Sequence, residues 1–126
     1  MHKVILLFWL LFACNSAQAA WNLVASNEEA SVYAEISAIS KSGDIAKMSD
    51  ITDFKQRIAG VNYSSVKSQR EYDCKDKKSR TLSYATMSKN MAGGLGVNSS
   101  NFTRQWSPVF SGGVVGALWA SACAKR

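Results

Sequence analysis

The sequence predicts an α+β fold in which one C-terminal helix packs on an antiparallel sheet of about six strands. Two observations favour the sheet: the body of the chain is rich in threonine, tyrosine, valine and isoleucine, and Pro108 is its sole proline. A third observation gives the helix, because only the segment after residue 113 has apolar residues at convincing helical spacing. The chain shows no repeat, low-complexity block or linker, so a single domain is expected.

The predicted strands alternate with turns that carry glycine, serine, asparagine or charge. Strand 45–54 has no cleanly apolar side, so its alternation does not reveal which face is buried. The next strand places Tyr72 and Cys74 on one face, and its return strand directs Leu82 and Tyr84 toward the core. The predicted strands cover residues 21–24, 31–36, 45–54, 63–74, 80–89 and 102–110, with turns at 41–44, 55–62, 75–78, 93–96 and 98–101.

The helix is predicted to begin at residues 111–113, a Ser-Gly-Gly sequence. The following apolar residues form one stripe along its surface: Val114, Val115, Leu118, Trp119, Ala122 and Cys123. Cys123 lies on this stripe and Cys74 ends a strand, so a bond between them would staple the helix to the sheet.

The N-terminus has the three parts of a secretory signal peptide: a basic start, an apolar run and an Ala-Gln-Ala ending. We expect residues 1–19 to be the signal peptide and residues 20–126 to be the mature domain. The apolar run is too short to span a membrane, and no later run is longer. An alternative stays open, because the sequence before Cys14 resembles a bacterial lipobox; lipidation of Cys14 would anchor the chain to a membrane surface.

Export indicates which of the cysteines can form a disulfide. Of the three cysteines, Cys14 belongs to the leader or carries lipid, which leaves Cys74 and Cys123 in an oxidising compartment. A disulfide between them closes a loop of about 50 residues and is expected to stabilise the fold by ~4 kcal/mol. Two free buried thiols are the alternative.

Charge is uneven along the chain. No carboxylate side chain follows Asp76, whereas basic residues continue to the C-terminus. A basic C-terminal half favours contact with an anionic partner such as an acidic protein, an acidic polysaccharide or lipid headgroups, although a solubilising charge explains it equally well. Export argues against nucleic acid. The residues predicted to contact an anionic partner are Lys75, Lys77, Lys78, Arg80, Lys89 and Arg104.

Catalytic motifs are weak. Ser64 and Lys67 match a Ser-x-x-Lys pattern, but in a strand they point to opposite faces. Glu71 and Asp73 share a strand face, as a carboxylate pair for acid–base catalysis would, yet solvated strands carry such residues routinely. The only histidine is His2, so the mature chain cannot form a Ser-His-Asp triad or a histidine zinc site. The sequence therefore predicts no enzyme, cofactor or metal.

An ordered set of short motifs resembles the bacterial surface-adhesin protein E family over nearly the whole mature chain. The set has a Tyr-Asp-Cys and a terminal Ala-Cys as its only mature cysteine motifs. It comprises Trp21, residues 63–67, 71–75 and 80–82, then Ser88, Met91 and Gly93, and finally residues 106–109, 118–119 and 122–123.

The resemblance implies a bent antiparallel sheet with a disulfide-tethered C-terminal helix, in an exported protein of the periplasm or surface of a Gram-negative bacterium. The family's namesake binds vitronectin, laminin, plasminogen and haem through features that include an arginine-rich segment. Here the corresponding region offers only Lys75, Lys77, Lys78 and Arg80. Two functions are expected: a surface adhesin for host matrix proteins, or a periplasmic structural or envelope-stress protein. The sequence leaves the oligomeric state open, with a dimer among the options.

Overall fold

The computed structural model of the protein describes residues 20–125. The expected signal peptide and Cys14 lie outside these described residues. Within them, a single 3₁₀ turn (Ile36–Ala38) joins β2 to β3. The elements follow in chain order as β1 (Asn22–Ser26), β2 (Ala30–Ala34), β3 (Ser40–Ser42), β4 (Ile45–Phe54), β5 (Ser65–Asp73), β6 (Lys78–Met87), β7 (Gly96–Ser100), β8 (Ser107–Pro108) and α1 (Val114–Cys123).

All strands pair antiparallel in one sheet, whose main path is β1-β2-β4-β5-β6-β7. The two short strands extend it, since β3 pairs with the start of β4 and β8 with the start of β6. The long strands β4, β5 and β6 are therefore central, and shorter strands flank them on each side. The predicted α+β architecture, with six strands in the main path and one C-terminal helix, is confirmed.

Residues in register lie on the same face of a sheet, and side chains alternate between faces along each strand. One face packs against α1, and we call it the covered face. Its core comprises Val32, Ala34, Ala46, Met48 and Tyr72, all at most 4 % exposed, together with Leu118 and Ala122 of the helix. The buried side of β4 is thus the one that carries Ala46, Met48 and Asp50. The sequence alone did not distinguish the two sides.

The opposite side is mostly polar, and we call it the open face. It carries Lys47 and Ser49 from β4, Lys67 and Gln69 from β5, and Ser83 from β6. Ile51 is an exception, because it belongs to this side and is nevertheless 1 % exposed.

The helix begins after Gly113, and the disulfide joins Cys123 at its end to Cys74 just beyond β5, with a Cα–Cα distance of 5.5 Å. Close by, Trp119 Nε1 donates a hydrogen bond of 3.0 Å to the carbonyl of Asp73. The predicted helix and disulfide are both confirmed, and together these contacts hold the helix on the covered face. Val114 and Val115, in the predicted stripe, are partly solvent-exposed instead.

Two predicted turns and the predicted last strand are wrong in part. Of the predicted strand 102–110, only Ser107 and Pro108 form a strand, β8, and proline has no N–H with which to extend the ladder. Lys41 and Ser42 belong to β3, which pairs with β4 and leaves only residues 43–44 as the turn. Asn98, Ser99 and Ser100 belong to β7, which pairs with β6. Serine and asparagine favour turns locally, but pairing with a long neighbouring strand supplies backbone hydrogen bonds that override this preference.

Three register shifts interrupt the ladders. At each shift, one strand has a residue with no partner on its neighbour: Val24 in β1, Leu82 in β6 and Val97 in β7. Leu82 was expected on the core face, but it is the unpaired residue of a bulge opposite Gln69 and Arg70. Bulges of this kind bend a sheet and increase its local twist.

Candidate functional site

The connection between β5 and β6 forms a tightly tied hairpin tip. Asp73 ends β5, and its Oδ1 accepts hydrogen bonds from the backbone N–H groups of Lys75 (3.0 Å) and Asp76 (2.9 Å). Lys77 has a left-handed backbone with φ of 52°, which closes the turn. The backbone N–H of Cys74 also donates to the carbonyl of Asp44 at 2.8 Å. The tip is therefore fixed by side-chain, backbone and disulfide bonds at once.

Lys75 and Lys78 present free ammonium groups at this tip. Both residues are exposed, and neither side chain has an ion pair or hydrogen bond to another residue within the described range 20–125. Lysines on a rigid turn can pair with a partner's carboxylates without ordering the backbone first. At the tip, these two residues are the members of the predicted basic set whose charge is available for an acidic partner.

Lys77 connects the tip to the start of the helix. Its Nζ donates a 2.9 Å hydrogen bond to Ser111 Oγ, and it lies 5.4 Å from the centre of the Trp119 ring. Its carbonyl accepts a 3.0 Å hydrogen bond from the N–H of Val109. Lys77 thus supports the loop before α1 as well as adding positive charge.

Arg80 is engaged within the protein. Its Nη2 lies 2.7 Å from Glu71 Oε1, and its guanidinium carbon lies 4.5 Å from the centre of the Trp106 ring. The ion pair and the cation–π contact hold residues 104–108 alongside β6. Arg80 therefore supports the surface near the tip, with its charge largely offset by Glu71.

The two remaining predicted cations lie apart from the tip. The backbone N–H of Arg104 donates to the carbonyl of Thr81 at 2.9 Å, which places this exposed residue beside the middle of β6. Lys89 follows the far end of β6, a ten-residue strand, and at ~3.3 Å per residue it is roughly 30 Å from the tip. The structure brings Lys75, Lys77 and Lys78 together and leaves Lys89 at the opposite end.

Apolar side chains adjoin the lysines. Phe110 is 77 % exposed and sits in the chain between Val109 and Ser111, both of which contact Lys77. Val114 opens the helix nearby and is partly exposed. These residues flank a groove of about 580 Å³ between the helix and β1, whose lining includes Lys77, Val114, Trp119 and Ala25. We define the tip surface as Lys75, Lys77, Lys78, Phe110 and Val114.

Comparison with known proteins identifies the family. The profile of the family described as surface-adhesin protein E matches residues 21–124, most of the chain. The chain belongs to this family. No curated protein and no solved structure matches it. The family places the chain among exported proteins with a surface adhesin-like role. No helix among the described residues is long and apolar enough to cross a membrane.

The two carboxylates weighed for catalysis in this adhesin E family member have structural partners. Glu71 pairs with Arg80, and Asp73 caps the turn at the tip. Ser64 lies in the bend just before β5, where its backbone bonds to Phe54 and Met87, whereas Lys67 lies within β5 on the open face. No cluster of three or more histidine, cysteine, aspartate or glutamate residues that could hold a metal occurs among residues 20–125.

A buried ion pair lies on the covered face. Asp50 is fully buried, and its Oδ2 accepts a 2.9 Å hydrogen bond from Arg70 Nε. Burial raises the pKa of Asp50 above its ordinary value of 3.8, and Arg70 partly opposes that shift. Burial and the nearby Asp50 also raise the pKa of Tyr72, so its hydroxyl stays protonated. Sequence reasoning did not detect this ion pair, because Asp50 lies in a strand with polar residues on both sides.

The search for functional residues from sequence also missed Phe110. No periodic pattern marks it, because Phe110 ends the extended segment before the Ser-Gly-Gly helix start. The structure shows it as one of the most exposed large apolar residues in the described chain.

Proposed function

We propose that this surface-adhesin protein E family member is a non-catalytic binding module whose tip surface docks an acidic host protein, such as an extracellular-matrix glycoprotein. The observation that carries the proposal is the pair of unpaired lysines, Lys75 and Lys78, on a tied hairpin beside the exposed Phe110. Charged groups around an exposed aromatic are typical of protein-binding surfaces, because the aromatic supplies contact area and the charges supply orientation and fast association.

The tip surface suits a protein partner because its charge is pre-positioned. The Asp73 cap, the Lys77 contacts and the disulfide fix the turn before any partner arrives. A pre-organised surface loses less conformational entropy on binding. Exposed charge contacts are screened over ~8 Å at physiological ionic strength, so the interaction is expected to weaken as salt rises.

The test compares two matched charge reversals in the exported protein. Binding to immobilised vitronectin and laminin is measured for Lys75→Glu/Lys78→Glu and for the control Lys55→Glu/Lys89→Glu. Both pairs change the net charge equally, and all four residues are exposed. The tip variant should lose roughly tenfold in affinity, equivalent to ~1.4 kcal/mol, and the control should bind as the wild type does. Equal losses in both variants, or binding that salt does not weaken, would overturn the proposal.

Cell-surface exposure separates this function from the periplasmic alternative. We propose that the mature protein reaches the outer surface of a Gram-negative cell, where a membrane-impermeant amine reagent would modify Lys75 and Lys78 on intact cells. Modification only after the outer membrane is permeabilised would instead support a periplasmic structural or envelope-stress protein.

Processing forms part of the same proposal. We propose that residues 1–19 are removed as a signal peptide, which leaves Ala20 as the first residue of the mature chain. The intact mass of the exported protein measures this directly. A mass that begins at a diacylglyceryl-modified Cys14 would establish the lipid-anchored form instead.

A further inference from the structure

A second groove, separate from the tip surface, lies on the open face. Its volume is about 310 Å³, at the lower end of the ~300–1,000 Å³ range of small-molecule sites. Two adjacent cross-strand rows form its floor: Gln69 pairs with Ser49 and Ser83, and Lys67 lies in register with Ala85 and Ser99. Its lining contains the polar residues Ser49, Lys67, Ser68, Gln69, Ser83, Tyr84, Ser99 and Asn101.

The polar side chains of this groove are not used by the fold. Those of Ser49, Gln69, Ser83 and Asn101 make no hydrogen bond to any other residue within the described part of the chain. By contrast, Ser65 and Thr86 in the same strands both bond to backbone groups. Hydroxyl and amide groups both donate and accept hydrogen bonds, so the groove offers unsatisfied capacity of both kinds on rigid strands.

The charge of the groove and the aromatic ring beside it restrict the class of ligand further. Lys67 is the only charged residue among those that line it, and no carboxylate lines it. The Lys67 ammonium lies 5.8 Å from the centre of the Trp21 ring, so an indole borders the groove on the side of β1. The site therefore combines one cation, several donor–acceptor groups and one aromatic ring.

We infer that the open-face groove binds a small acidic glycan, that is, one or two sugar units that carry a carboxylate. The carboxylate pairs with Lys67, and the sugar hydroxyls, which also both donate and accept, bond to Gln69, Ser49, Ser83 and Asn101. The apolar side of the sugar ring lies toward Trp21. An apolar ligand would leave the hydroxyl and amide groups of the groove without hydrogen-bond partners. A multiply charged phosphate would meet a single cation.

This inference does not rest on the proposed function, because the groove and the tip surface share no residue. The distance between them also separates the two experimentally. Gln69 is four residues before Asp73 along β5, or ~13 Å at the usual rise of a strand.

The experiment titrates the exported protein with N-acetylneuraminic acid, glucuronic acid and the neutral control galactose, and follows tryptophan fluorescence and ligand NMR. At least one acidic sugar should bind saturably in the millimolar range, and galactose should bind at least tenfold more weakly. Lys67→Gln should reduce binding of the acidic sugar at least tenfold. The matched control is Lys47→Gln, an exposed lysine on the same face outside the groove, which should bind as the wild type does.

Further variants complete the test. Gln69→Ala should weaken binding of acidic and neutral sugars alike, whereas Lys75→Glu/Lys78→Glu should leave sugar binding unchanged, which separates this site from the tip surface. The inference is overturned if no sugar binds saturably by about 10 mM. Equal effects of Lys67→Gln and Lys47→Gln would also overturn it, since they would indicate non-specific attraction. Thermal unfolding of each variant establishes that it is folded.

Discussion

The two faces of the sheet belong to the same strands, but the covered face is mostly apolar and buried and the open face is mostly polar and exposed. On the covered face, successive alternate residues of β4 and β5 are Ala46, Met48 and Tyr72, all at most 1 % exposed. The intervening positions of the same strands lie on the open face. Ser49 and Gln69 are at such positions, and both are partly exposed to solvent. The alternation with a period of two residues separates a surface that stabilises the fold from one that is free to bind.

Each face also contains one exception to this separation of buried apolar residues from exposed polar ones. The covered face contains the ion pair of Asp50 and Arg70 in place of an apolar contact, and the open face contains the buried Ile51. Substitutions on the covered face should therefore change stability, whereas most on the open face should change only binding.

The largest effect is expected for Arg70→Ala. Removal of the guanidinium leaves Asp50 fully buried without its charge partner, which should cost ~3–5 kcal/mol of unfolding free energy at neutral pH. Arg80→Ala is the matched control, since the Arg80–Glu71 pair is partly exposed and should cost at most ~1 kcal/mol. Urea unfolding measures both, and equal losses would show that the two faces do not differ in this respect.

Loss of the disulfide comes next. Replacement of Cys74 and Cys123 by serine should lower the unfolding free energy by ~2–5 kcal/mol, because the bond restricts the unfolded chain and holds the helix on the sheet. The hydrogen bond from Trp119 to Asp73 should weaken with it, so tryptophan fluorescence should shift to the red before the sheet unfolds. A double-serine variant as stable as the wild type would refute a structural role for the bond.

Gly116→Ala tests how closely the start of the helix packs. Alanine usually stabilises a helix interior by up to ~1 kcal/mol relative to glycine. Here the new Cβ would lie 2.7 Å from the carbonyl oxygen of Phe110, so the loop before α1 must shift. We expect a net loss of ~1–3 kcal/mol, typical of overpacking. Gly96→Ala, where the added Cβ meets no atom within 4 Å, is the control, and a stabilised Gly116→Ala variant would contradict the prediction.

The free energy of unfolding should depend on pH through the titration of Asp50. Its pKa is raised in the folded state above its ordinary value of 3.8, mainly because the carboxylate is buried. Between these two pKa values the folded protein therefore holds a proton that the unfolded chain has released, so the contribution of Asp50 is fully present below pH 3.8 and is lost as pH rises through the folded pKa. The unfolding free energy of wild type minus that of Asp50→Asn should fall over this range. A difference that rises with pH would mean that Arg70 dominates and lowers the pKa of Asp50 instead.

The smallest effects are expected on the open face. Ser83→Ala and Gln69→Ala should each change the unfolding free energy by less than ~0.5 kcal/mol, because neither side chain bonds to another described residue. Urea unfolding of these variants measures this directly. Losses as large as that of Gly116→Ala would show that the polar groove has a structural role.

Elements with strong local signals were predictable from sequence. Strand β4 has the predicted bounds, the helix follows the predicted Gly-Gly sequence, and export plus cysteine count gave the disulfide. Flanking strands were less predictable, because β3 and β7 consist largely of serine, asparagine, lysine and glycine and are strands only through pairing with β4 and β6.

The candidate site was predictable in composition but only partly in geometry. The set of cations was predictable from the sequence. The distance of Lys89 from the tip was not, because it depends on the length of β6. The engaged state of Arg80 depends on Glu71, which lies opposite it on the neighbouring strand β5, and on Trp106 in a later segment. Such long-range partners leave no periodic trace in the sequence. The hydrogen-bonding capacity of the groove is likewise visible only once the strands are in register.

The bulges at Val24 and Val97 lie in β1 and β7, the two outer strands of the main path. A flat outer strand presents a straight row of free N–H and C=O groups, on which an identical chain can add and start a fibre. A bulge breaks the regular spacing of that row and twists the strand away from a flat template. Both ends of this sheet therefore resist open-ended growth. We therefore expect the two bulges to disfavour edge-to-edge aggregation of identical chains.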